Sequence, residues 1–434
     1  CGEGGFFAQM AAMHACGPYA IENVDVDSRL VYTNNQPSGS IRAPTAPQTV
    51  WAVEQHLDEV AEALDLDPVE LRRRTLIKEG DEGPTRQVYG PLGMRETLER
   101  AVDMIGYGRE LPENEGIGIA CGFWPSFGSE SGAYVKLNAD GSGVIVTGAQ
   151  ENGSGAVMGM PLIAAEVLSM APEDFSILYQ DTEAGPWDMG SSGSQTTINA
   201  GRAVSEAAGE VRDRLVELAS EQLEIDPLDL ELHEGAVRVK GAPQKSVPIA
   251  ELAGSGATII GKGSGPVPEA PKCSPDSGCL GRLGFESFLE PQLITHAAHV
   301  RVDPDTGVVR VLKVAAAHDS GTILNPVGAN GQVLGGVVMG IGQALSEGMQ
   351  LDAGRQLNPH LLDYKLVTSA DAPPIEIAWV ETPAINGGPN GTKGIGEPPC
   401  VPTPGAIANA IANATGRRLR RLPMTPERVW EAGR

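Results

Sequence analysis

Paired cysteines, aromatic residues and long apolar runs are scarce in this sequence. Its 434 residues include six cysteines, none in a CxxC pair, and aromatic residues make up 4% of the total. Cys273 and Cys279 in KCSPDSGC are interpreted as loop thiols, since no second pair or histidine cluster follows. Iron–sulfur clusters and zinc sites need closely spaced ligands, so neither is expected within the chain. No run of 18 apolar residues occurs, and we expect no transmembrane helix.

Basic residues are also in short supply. The chain has 32 Lys and Arg against 56 Asp and Glu, which gives a formal net charge of −24. Proteins that bind nucleic acid present a basic surface, so this class is disfavoured. The low density of cysteine is typical of a reducing compartment, and we expect a cytoplasmic location.

The first 20 residues contain neither an initiator methionine nor the basic segment of a signal peptide. Their sequence, CGEGGFFAQMAAMHACGPYA, predicts an apolar helix that ends in a turn at Gly17-Pro18. We therefore expect the chain to be one piece of a larger unit.

Helical and strand patterns alternate along the rest of the chain. Asp67 followed by Pro68 predicts the start of one helix. Apolar spacing predicts other helices at 46–64, 92–106, 155–170, 200–223, 330–348 and 404–414, and strands at 29–33, 116–124, 133–148 (a hairpin), 174–182, 296–303, 307–317 and 375–382. The mixture predicts an α+β fold, with mixed sheets and interleaved helices.

The length exceeds what one hydrophobic core usually supports, about 250–300 residues, so at least two domains are expected. The polar stretch GYGRELPENEG is rich in residues that break helices and strands. We place a boundary there, which divides the chain into residues 1–112 and 113–434.

Four Gly- and Ser-rich stretches stand between a strand-like and a helix-like segment. They contain QENGSGAV, MGSSGSQTT, NPVGANGQ and NGGPNGTKGIGEPP. None matches a P-loop or the GxGxxG fingerprint of dinucleotide-binding folds, and each alone is typical of an ordinary turn. Backbone N–H groups at helix starts can hold phosphate. Four such loops in one chain therefore suggest one large, phosphate-bearing cofactor held by several loops.

Glu397 lies in the last of these loops, in KGIGEPP. A residue before proline is disfavoured in the α region, so we expect an extended, stiff backbone at this exposed turn. Gly394 and Gly396 allow a ligand to approach the same loop closely. A carboxylate held in this way is a candidate general base, and the alternative is an ordinary solvated glutamate.

Three other side chains are candidates for ligand contacts. Arg42 in SIRAPTAPQ is a cation on a turn, suited to an anionic or carbonyl group, or else a surface arginine at a helix start. Trp124 and Phe127 in FWPSFGSESG are candidates for a substrate channel, and packing between strands explains them equally well. The seven histidines form no HExxH motif, and no GxSxG elbow occurs.

The order of these motifs resembles the molybdopterin-binding part of the xanthine dehydrogenase/aldehyde oxidase/carbon monoxide dehydrogenase family, from about residue 17 onward. KGIGEPP followed by AIANAIANATGRRLRRLPMTPERV is the most specific match. IRAPTAPQ is similar to the family's FRGFG- or MRAPG-like turn, QENGSGAV to its E-x-G-Q-G loop, and GSSGSQTT to its Ser-rich loop. HDSGTILNPVGANGQVLGG is similar to the signature D-x-G-x-x-x-N-P…Q-x-x-G-G.

The resemblance implies the fold of a molybdenum hydroxylase large subunit. Residues 1–112 are then the carboxy-terminal part of the first molybdopterin-binding domain, and 113–434 the second. The implied cofactor is molybdopterin in its cytosine dinucleotide form, carrying molybdenum with no direct protein ligand. Glu397 is the implied catalytic base. Cofactor contacts are implied for Arg42, Gly153, Ser154, Gly155, Ser192, Gly193, Ser194, Gln332, Lys393, Gly394 and Gly396.

The implied reaction adds a water-derived oxygen to an electron-poor carbon of an N-heteroaromatic or aldehyde substrate. Glu397 takes the proton of a molybdenum-bound hydroxide, and electrons leave through [2Fe–2S] clusters to FAD on partner chains. The family's earlier GGxFGxK-type loop is missing. We therefore expect a separate chain with the front half of the unit, an iron–sulfur subunit and an FAD subunit, in a complex that could itself dimerise. The alternative is a non-catalytic partner that only helps to hold the cofactor.

Two departures from the family pattern bear on the site. Ser154 stands where many members have glutamine, so one cofactor contact is expected to be shorter or water-mediated. Pro44 and Thr45 replace the aromatic part of the FRGFG turn, which argues mildly against a xanthine specialist.

Overall fold

The computed structural model of the chain describes residues 4–36, 39–83, 87–179, 181–265 and 288–433, and the loop with Cys273 and Cys279 lies outside them. Ten α-helices lie within these ranges: α1 (Gly4–His14), α2 (Ala46–Ala63), α3 (Pro68–Thr75), α4 (Met94–Ile105), α5 (Met160–Leu168), α6 (Thr196–Leu223), α7 (Ile249–Gly254), α8 (Pro326–Leu345), α9 (Thr403–Thr415) and α10 (Pro426–Ala432).

Thirteen strands lie within the same ranges: β1 (Glu115–Ser126), β2 (Ala133–Leu137), β3 (Gly143–Thr147), β4 (Phe175–Leu178), β5 (Leu230–His233), β6 (Ala236–Val239), β7 (Ala242–Pro248), β8 (Ile260–Gly263), β9 (Glu290–Val302), β10 (Val309–Asp319), β11 (Leu351–Asp352), β12 (Arg355–Gln356) and β13 (Ile375–Val380). Helices and strands are interleaved, which confirms the predicted α+β class. No helix among the described residues is long and apolar enough to cross a membrane.

The central sheet has the strand order β1-β9-β10-β13. Strands β1 and β9 pair antiparallel over the whole of β1, from Glu115 opposite Arg301 to Ser126 opposite Glu290. Strand β10 is antiparallel to β9 and parallel to β13. Helix α4 covers one face of this sheet, while α8 and α9 cover the other. Because both faces are covered, every residue of β1 is buried.

Helix α9 packs unusually close to β1. A Cβ atom at Gly118 would lie 2.1 Å from the backbone nitrogen of Ala410, so only glycine fits there. The side chains of Asn409 and Asn413 donate hydrogen bonds to the carbonyls of Ile119 (3.0 Å) and Ile117 (2.7 Å). These contacts hold α9, and the loop that precedes it, against the central sheet.

A second sheet, with the order β4-β3-β2-β8, has its own hydrophobic cluster together with α5 and α6. Burial alternates along β2, as expected for a strand with one face on a core. A small sheet of β5, β6 and β7 joins the same cluster and was not predicted. The predicted boundary at residue 112 falls just before β1 and stays a prediction, although β1 shares a cluster with α4.

A buried ion cluster ties the amino-terminal helices to the central sheet. Arg72 on α3 is fully buried and pairs with Glu54 (2.9 Å) and Asp58 (2.7 Å) on α2. Glu54 also accepts hydrogen bonds from the backbone N–H of Cys121 (2.8 Å) and the hydroxyl of Tyr19 (2.7 Å). Helix α2, which follows the turn that contains Arg42, is thereby fixed to β1.

Most predicted helices and strands are present, with bounds shifted by a few residues. Asp67 caps α3 as predicted, because its carboxylate accepts from the backbone N–H groups of Val69 (2.8 Å) and Glu70 (3.0 Å). The strand predicted at residues 29–33 is wrong. That segment forms no strand and is exposed, with Tyr32 98% exposed, because no strand within the described ranges pairs with it.

Candidate active site

A cavity of about 1150 Å³ opens beside the carboxyl end of β1. Its walls come from the turn before α2, the end of β1, the loops before α5 and α6, the start of α8 and the loop before α9. All fourteen residues predicted for the site line it: Arg42, Trp124, Phe127, Gly153, Ser154, Gly155, Ser192, Gly193, Ser194, Gln332, Lys393, Gly394, Gly396 and Glu397. The fold thus brings together residues from both ends of the chain.

Glu397 is held at three points. Its backbone N–H donates to Oγ of Ser194 at 2.8 Å, and the same hydroxyl donates to Oε2 of Glu397 at 3.0 Å. The backbone N–H of Ala43 donates to Oε1 at 3.3 Å. Both carboxylate oxygens therefore have a donor, each from a different loop.

The backbone and exposure predicted for Glu397 are wrong. Its dihedral angles, φ −98° and ψ −35°, lie in the helical region, and the residue precedes the 3₁₀ turn Pro398–Cys400. A following proline disfavours this region without forbidding it. The hydrogen bond from its N–H to Ser194 helps to hold the helical conformation, and the side chain is partly buried rather than exposed on a turn.

Burial raises the pKa of the Glu397 carboxyl above its usual value, because removal from water disfavours the charged form. The hydrogen bonds from Ser194 and Ala43, and the positive charge of Arg42, act in the opposite direction. A carboxylate with a raised pKa is a stronger base than a solvated one, which suits proton abstraction near neutral pH.

The turn of Arg42 is strained and well anchored. Ala43 (φ 56°) and Thr45 (φ 66°) both adopt the left-handed region, which is costly for residues other than glycine. Nη2 of Arg42 donates to the backbone carbonyl (3.1 Å) and to Oε1 (3.2 Å) of Gln332 on α8. This geometry presents the Ala43 N–H to Glu397 and keeps the guanidinium at the cavity.

The loop of Gly153 and Gly155 already contains an anion acceptor of its own. The backbone N–H groups of both glycines donate to Oε1 of Glu151, at 2.8 and 2.9 Å. In this conformation these N–H groups are therefore already paired, and a phosphate would have to displace Glu151 to reach them. Glu151 was missed, because the turn side chains that usually accept from the backbone two residues on are Asp and Asn rather than Glu.

Lys393 lies in the cavity wall, but its charge is already neutralised. The side chain is fully buried, and its Nζ forms an ion pair with Oδ2 of Asp319 at 2.9 Å. The backbone N–H of Lys393 donates to the carbonyl of Ser320 at 2.8 Å. This residue thus fixes the loop before α9 to the end of β10, and a charged contact with a ligand would compete with Asp319.

Gly394 sits directly against the Ser-rich loop. A Cβ atom at this position would lie 2.0 Å from the carbonyl oxygen of Ser194 and 2.8 Å from its Cβ. Glycine is therefore required for the two loops to meet. Their contact brings Ser194 within hydrogen-bonding distance of Glu397.

Trp124 and Phe127 form an aromatic part of the wall, together with Phe6 and Phe7 of α1, which were not predicted for the site. The Trp124 side chain is 2% exposed and stacks on His14 with ring centroids 5.6 Å apart. Trp124 thus belongs to the core and to the cavity wall at once, and its contact with a substrate stays a prediction.

Several polar atoms at the cavity wall are buried without a hydrogen-bond partner among the described residues. They are Nε of Arg42, Nε1 of Trp124, Oε1 of Gln195 and Oγ of Ser320. Such groups are costly to leave unpaired, so the wall suits a large ligand with several polar atoms. Gln195 and Ser320 were also missed, because neither stands out in its local sequence.

A large cavity with Gly- and Ser-rich loops, buried polar atoms without partners among the described residues and one partly buried carboxylate defines a site for a large polar cofactor. Two family descriptions, both "molybdopterin cofactor-binding domain", match the chain over residues 3–76 and 100–373. The second match alone covers more than half of the chain. The chain belongs to this family, in its xanthine dehydrogenase/aldehyde oxidase branch.

Two relatives show the extent of the similarity. The xanthine dehydrogenase molybdenum-binding subunit of Escherichia coli O157:H7 is 34% identical over 93% of this chain and 54% of the relative. The nicotine 6-hydroxylase large subunit of Paenarthrobacter nicotinovorans is 31% identical over 97% of this chain and 54% of its own length. The chain thus spans about half the length of the curated relatives it matches.

Solved structures show the same fold. Quinoline 2-oxidoreductase from Pseudomonas putida 86 superposes with a TM-score of 0.86 and 26% identity, covering 98% of this chain and 57% of that chain. Aldehyde oxidoreductase from Desulfovibrio gigas superposes with a TM-score of 0.82 and 28% identity. The match covers 99% of this chain and 45% of that chain. The fold is therefore that of molybdenum hydroxylase large subunits, as the resemblance implied.

Proposed function

We propose that this chain is the catalytic, molybdenum-binding part of a hydroxylase, with Glu397 as the base. The observation that carries the proposal is the position of Glu397. Two hydrogen bonds to its carboxylate and one from its backbone N–H hold Glu397 at the wall of the cavity, where burial raises the pKa of the carboxyl. A side chain that served only to hold a cofactor would not need to be anionic, buried and oriented at once.

The cavity wall fits molybdopterin, which we propose binds as the cytosine dinucleotide form. The unpaired Nε of Arg42 and Oε1 of Gln195 offer polar contacts, and Gln332, Ser192, Ser154 and the glycines 153, 155, 193, 394 and 396 lie around them. When bound, the cofactor supplies a molybdenum centre that accepts two electrons and carries the oxygen that is transferred.

The chain's own residues would supply position and proton transfer. The ionised Glu397 accepts a proton at the face of the cavity, and Ser194 and Ala43 orient its two oxygens. Arg42, whose pKa is lowered by burial, lies near enough for its charge to favour the ionised form of Glu397. The aromatic rings of Trp124 and Phe127 exclude water on one side and leave room for a flat substrate.

We infer that the substrate is an N-heteroaromatic ring or an aldehyde. The names of the similar proteins support this class, since they include a nicotine hydroxylase, a quinoline oxidoreductase and an aldehyde oxidoreductase. The flat rings of Phe6, Phe7, Trp124 and Phe127 at the cavity wall also favour an aromatic compound.

We further propose that the working enzyme has other chains, namely an iron–sulfur subunit and an FAD subunit. Two similar proteins support this proposal, because both are named as subunits. The chain spans 54% of the length of each of them. A cytoplasmic location, inferred from the low density of cysteine, belongs to this proposal.

The replacement Glu397→Gln in the assembled enzyme tests the proposal. It keeps the size of the side chain and removes the base. Hydroxylation that continues at the original rate, with molybdenum retained, would support the alternative in which the chain only helps to hold the cofactor. Purified complex that contains no molybdenum would exclude both functions.

A further inference from the structure

The hydroxyl of Ser194 makes both of its hydrogen bonds with one residue. It accepts from the backbone N–H of Glu397 at 2.8 Å and donates to Oε2 of the same residue at 3.0 Å. A serine hydroxyl has a single proton. Since that proton goes to Glu397, Ser194 has none to donate to a bound cofactor, which differs from the role implied by its sequence motif.

The backbone of Ser194 is fixed from two sides. Its φ of 59° lies in the left-handed region, and Gly394 packs against its carbonyl with no room for a Cβ atom. Two residues later α6 begins. The hydroxyl is therefore held in place by the conformation of its own backbone and by a neighbouring loop.

Other groups that face Glu397 act differently. The Arg42 guanidinium bonds to Gln332 and influences Glu397 only through its charge. The buried Cys400 thiol lies near the carbonyl of Glu397, at 3.3 Å from Sγ. The Ala43 N–H reaches one carboxylate oxygen, and the indole of Trp124 lies nearby. Ser194 is the one described residue with hydrogen bonds to both the backbone and the carboxylate of Glu397.

We propose that Ser194 is a positioning residue, which sets the orientation and the ionisation of Glu397 rather than contacting the cofactor. The proposal rests on the proposed function in one respect, namely that Glu397 is the base. Loss of the Ser194 hydroxyl removes a donor that stabilises the carboxylate and therefore raises the pKa of Glu397. The base must be ionised to accept a proton, so activity is then lost at a higher pH as the solution is acidified.

The test uses Ser194→Gly in the assembled enzyme, because glycine accepts a φ of 59° without strain and the replacement removes the side chain that carries the hydroxyl. We expect the acidic limb of kcat/KM to move up by about one pH unit, which corresponds to the loss of one hydrogen bond to a charged group. Ser194→Ala should give the same shift. It serves as the second variant if the glycine variant does not assemble.

A readout independent of turnover is the carboxyl band of Glu397 in infrared spectra, assigned by subtraction of E397Q and titrated with pH. The band should titrate at higher pH in both Ser194 variants and at the original pH in Ser192→Ala, which loses a hydroxyl that makes no contact with Glu397 in the described chain. A loss of molybdenum in the Ser194 variants with an unchanged Glu397 titration would show a cofactor contact and overturn the proposal.

The two proposals can fail separately. If E397Q retains the original rate, Glu397 is not the base and the proposed function fails, but the infrared titration still reports whether Ser194 controls its ionisation. If E397Q is inactive and both Ser194 variants keep the original pH profile and the original titration, only the role of Ser194 is wrong.

Discussion

The backbone N–H of Ala43 donates a hydrogen bond to Oε1 of Glu397 at 3.3 Å, although 354 positions separate the two residues in the sequence. Ala43 can present this N–H because its φ of 56° turns the chain at the start of α2. The candidate base thus depends on a strained turn near one end of the chain and on a Gly/Pro loop near the other.

Glu397→Gln should lower kcat by at least about 100-fold, because general-base catalysis contributes roughly 10²–10⁴ and the amide cannot accept the proton. Molybdenum content, measured by mass spectrometry of the purified complex, should stay the same. Glu173→Gln is the matched control, since Glu173 is exposed and far from the cavity wall. Its kcat should not change.

Gly394→Ala should reduce kcat by about 100-fold, since a displacement of roughly 1 Å at a reacting group can cost this much. The added Cβ atom would lie 2.0 Å from the carbonyl of Ser194 and must push the two loops apart. Gly209→Ala on α6 meets nothing within 4 Å and should keep full activity. Steady-state kinetics of the two variants measure the difference in kcat. Equal kcat values would show that the close contact between Gly394 and Ser194 is not needed for activity.

Thr45→Gly should stabilise the protein by about 1 kcal/mol, because a left-handed backbone is strained for threonine and its buried hydroxyl oxygen has no partner among the described residues. Thr425→Gly is the control. Thr425 also precedes a helix without a side-chain cap, but its φ of −64° is ordinary. Urea denaturation should separate the two variants, and a Thr45→Gly protein that is less stable would contradict the strain argument.

Arg72→Met should destabilise the fold by about 3–5 kcal/mol, because it leaves the buried carboxylates of Glu54 and Asp58 without their cation. Arg74→Met removes an exposed arginine that pairs with Glu70 four residues earlier, and should change the free energy of unfolding by less than about 0.5 kcal/mol. Chemical denaturation of both variants measures the difference. If both variants lost the same free energy of unfolding, the buried cluster would contribute no more to stability than an exposed ion pair.

Much of the fold is readable from local sequence. Asp67 with Pro68 marks the start of α3 because the signal and the cap lie within three residues of each other. The hairpin of β2 and β3 is equally local, since its alternating strands flank a short turn. The strand predicted at 29–33 failed because a strand needs a partner, and partners come from elsewhere in the chain.

In the candidate site, too, some features could be predicted from the local sequence and others could not. Its Gly/Ser loops and Glu397 were recognisable because glycine, proline and a lone carboxylate leave marks in the local sequence. The ion pair of Lys393 with Asp319 could not be recognised in this way, because 74 positions separate the two residues. The capture of the Gly153 and Gly155 N–H groups by Glu151 depends on a backbone path that composition does not specify.

By itself, then, the sequence determined the family, the loops and the identity of the candidate base, because these depend on residue types and short spacings. Only the tertiary structure decided the helical backbone of Glu397 and its hydrogen bond with Ser194, 203 positions away. A pKa and an orientation depend on burial and on donors from distant loops, and both exist only once the two ends of the chain have met at the cavity.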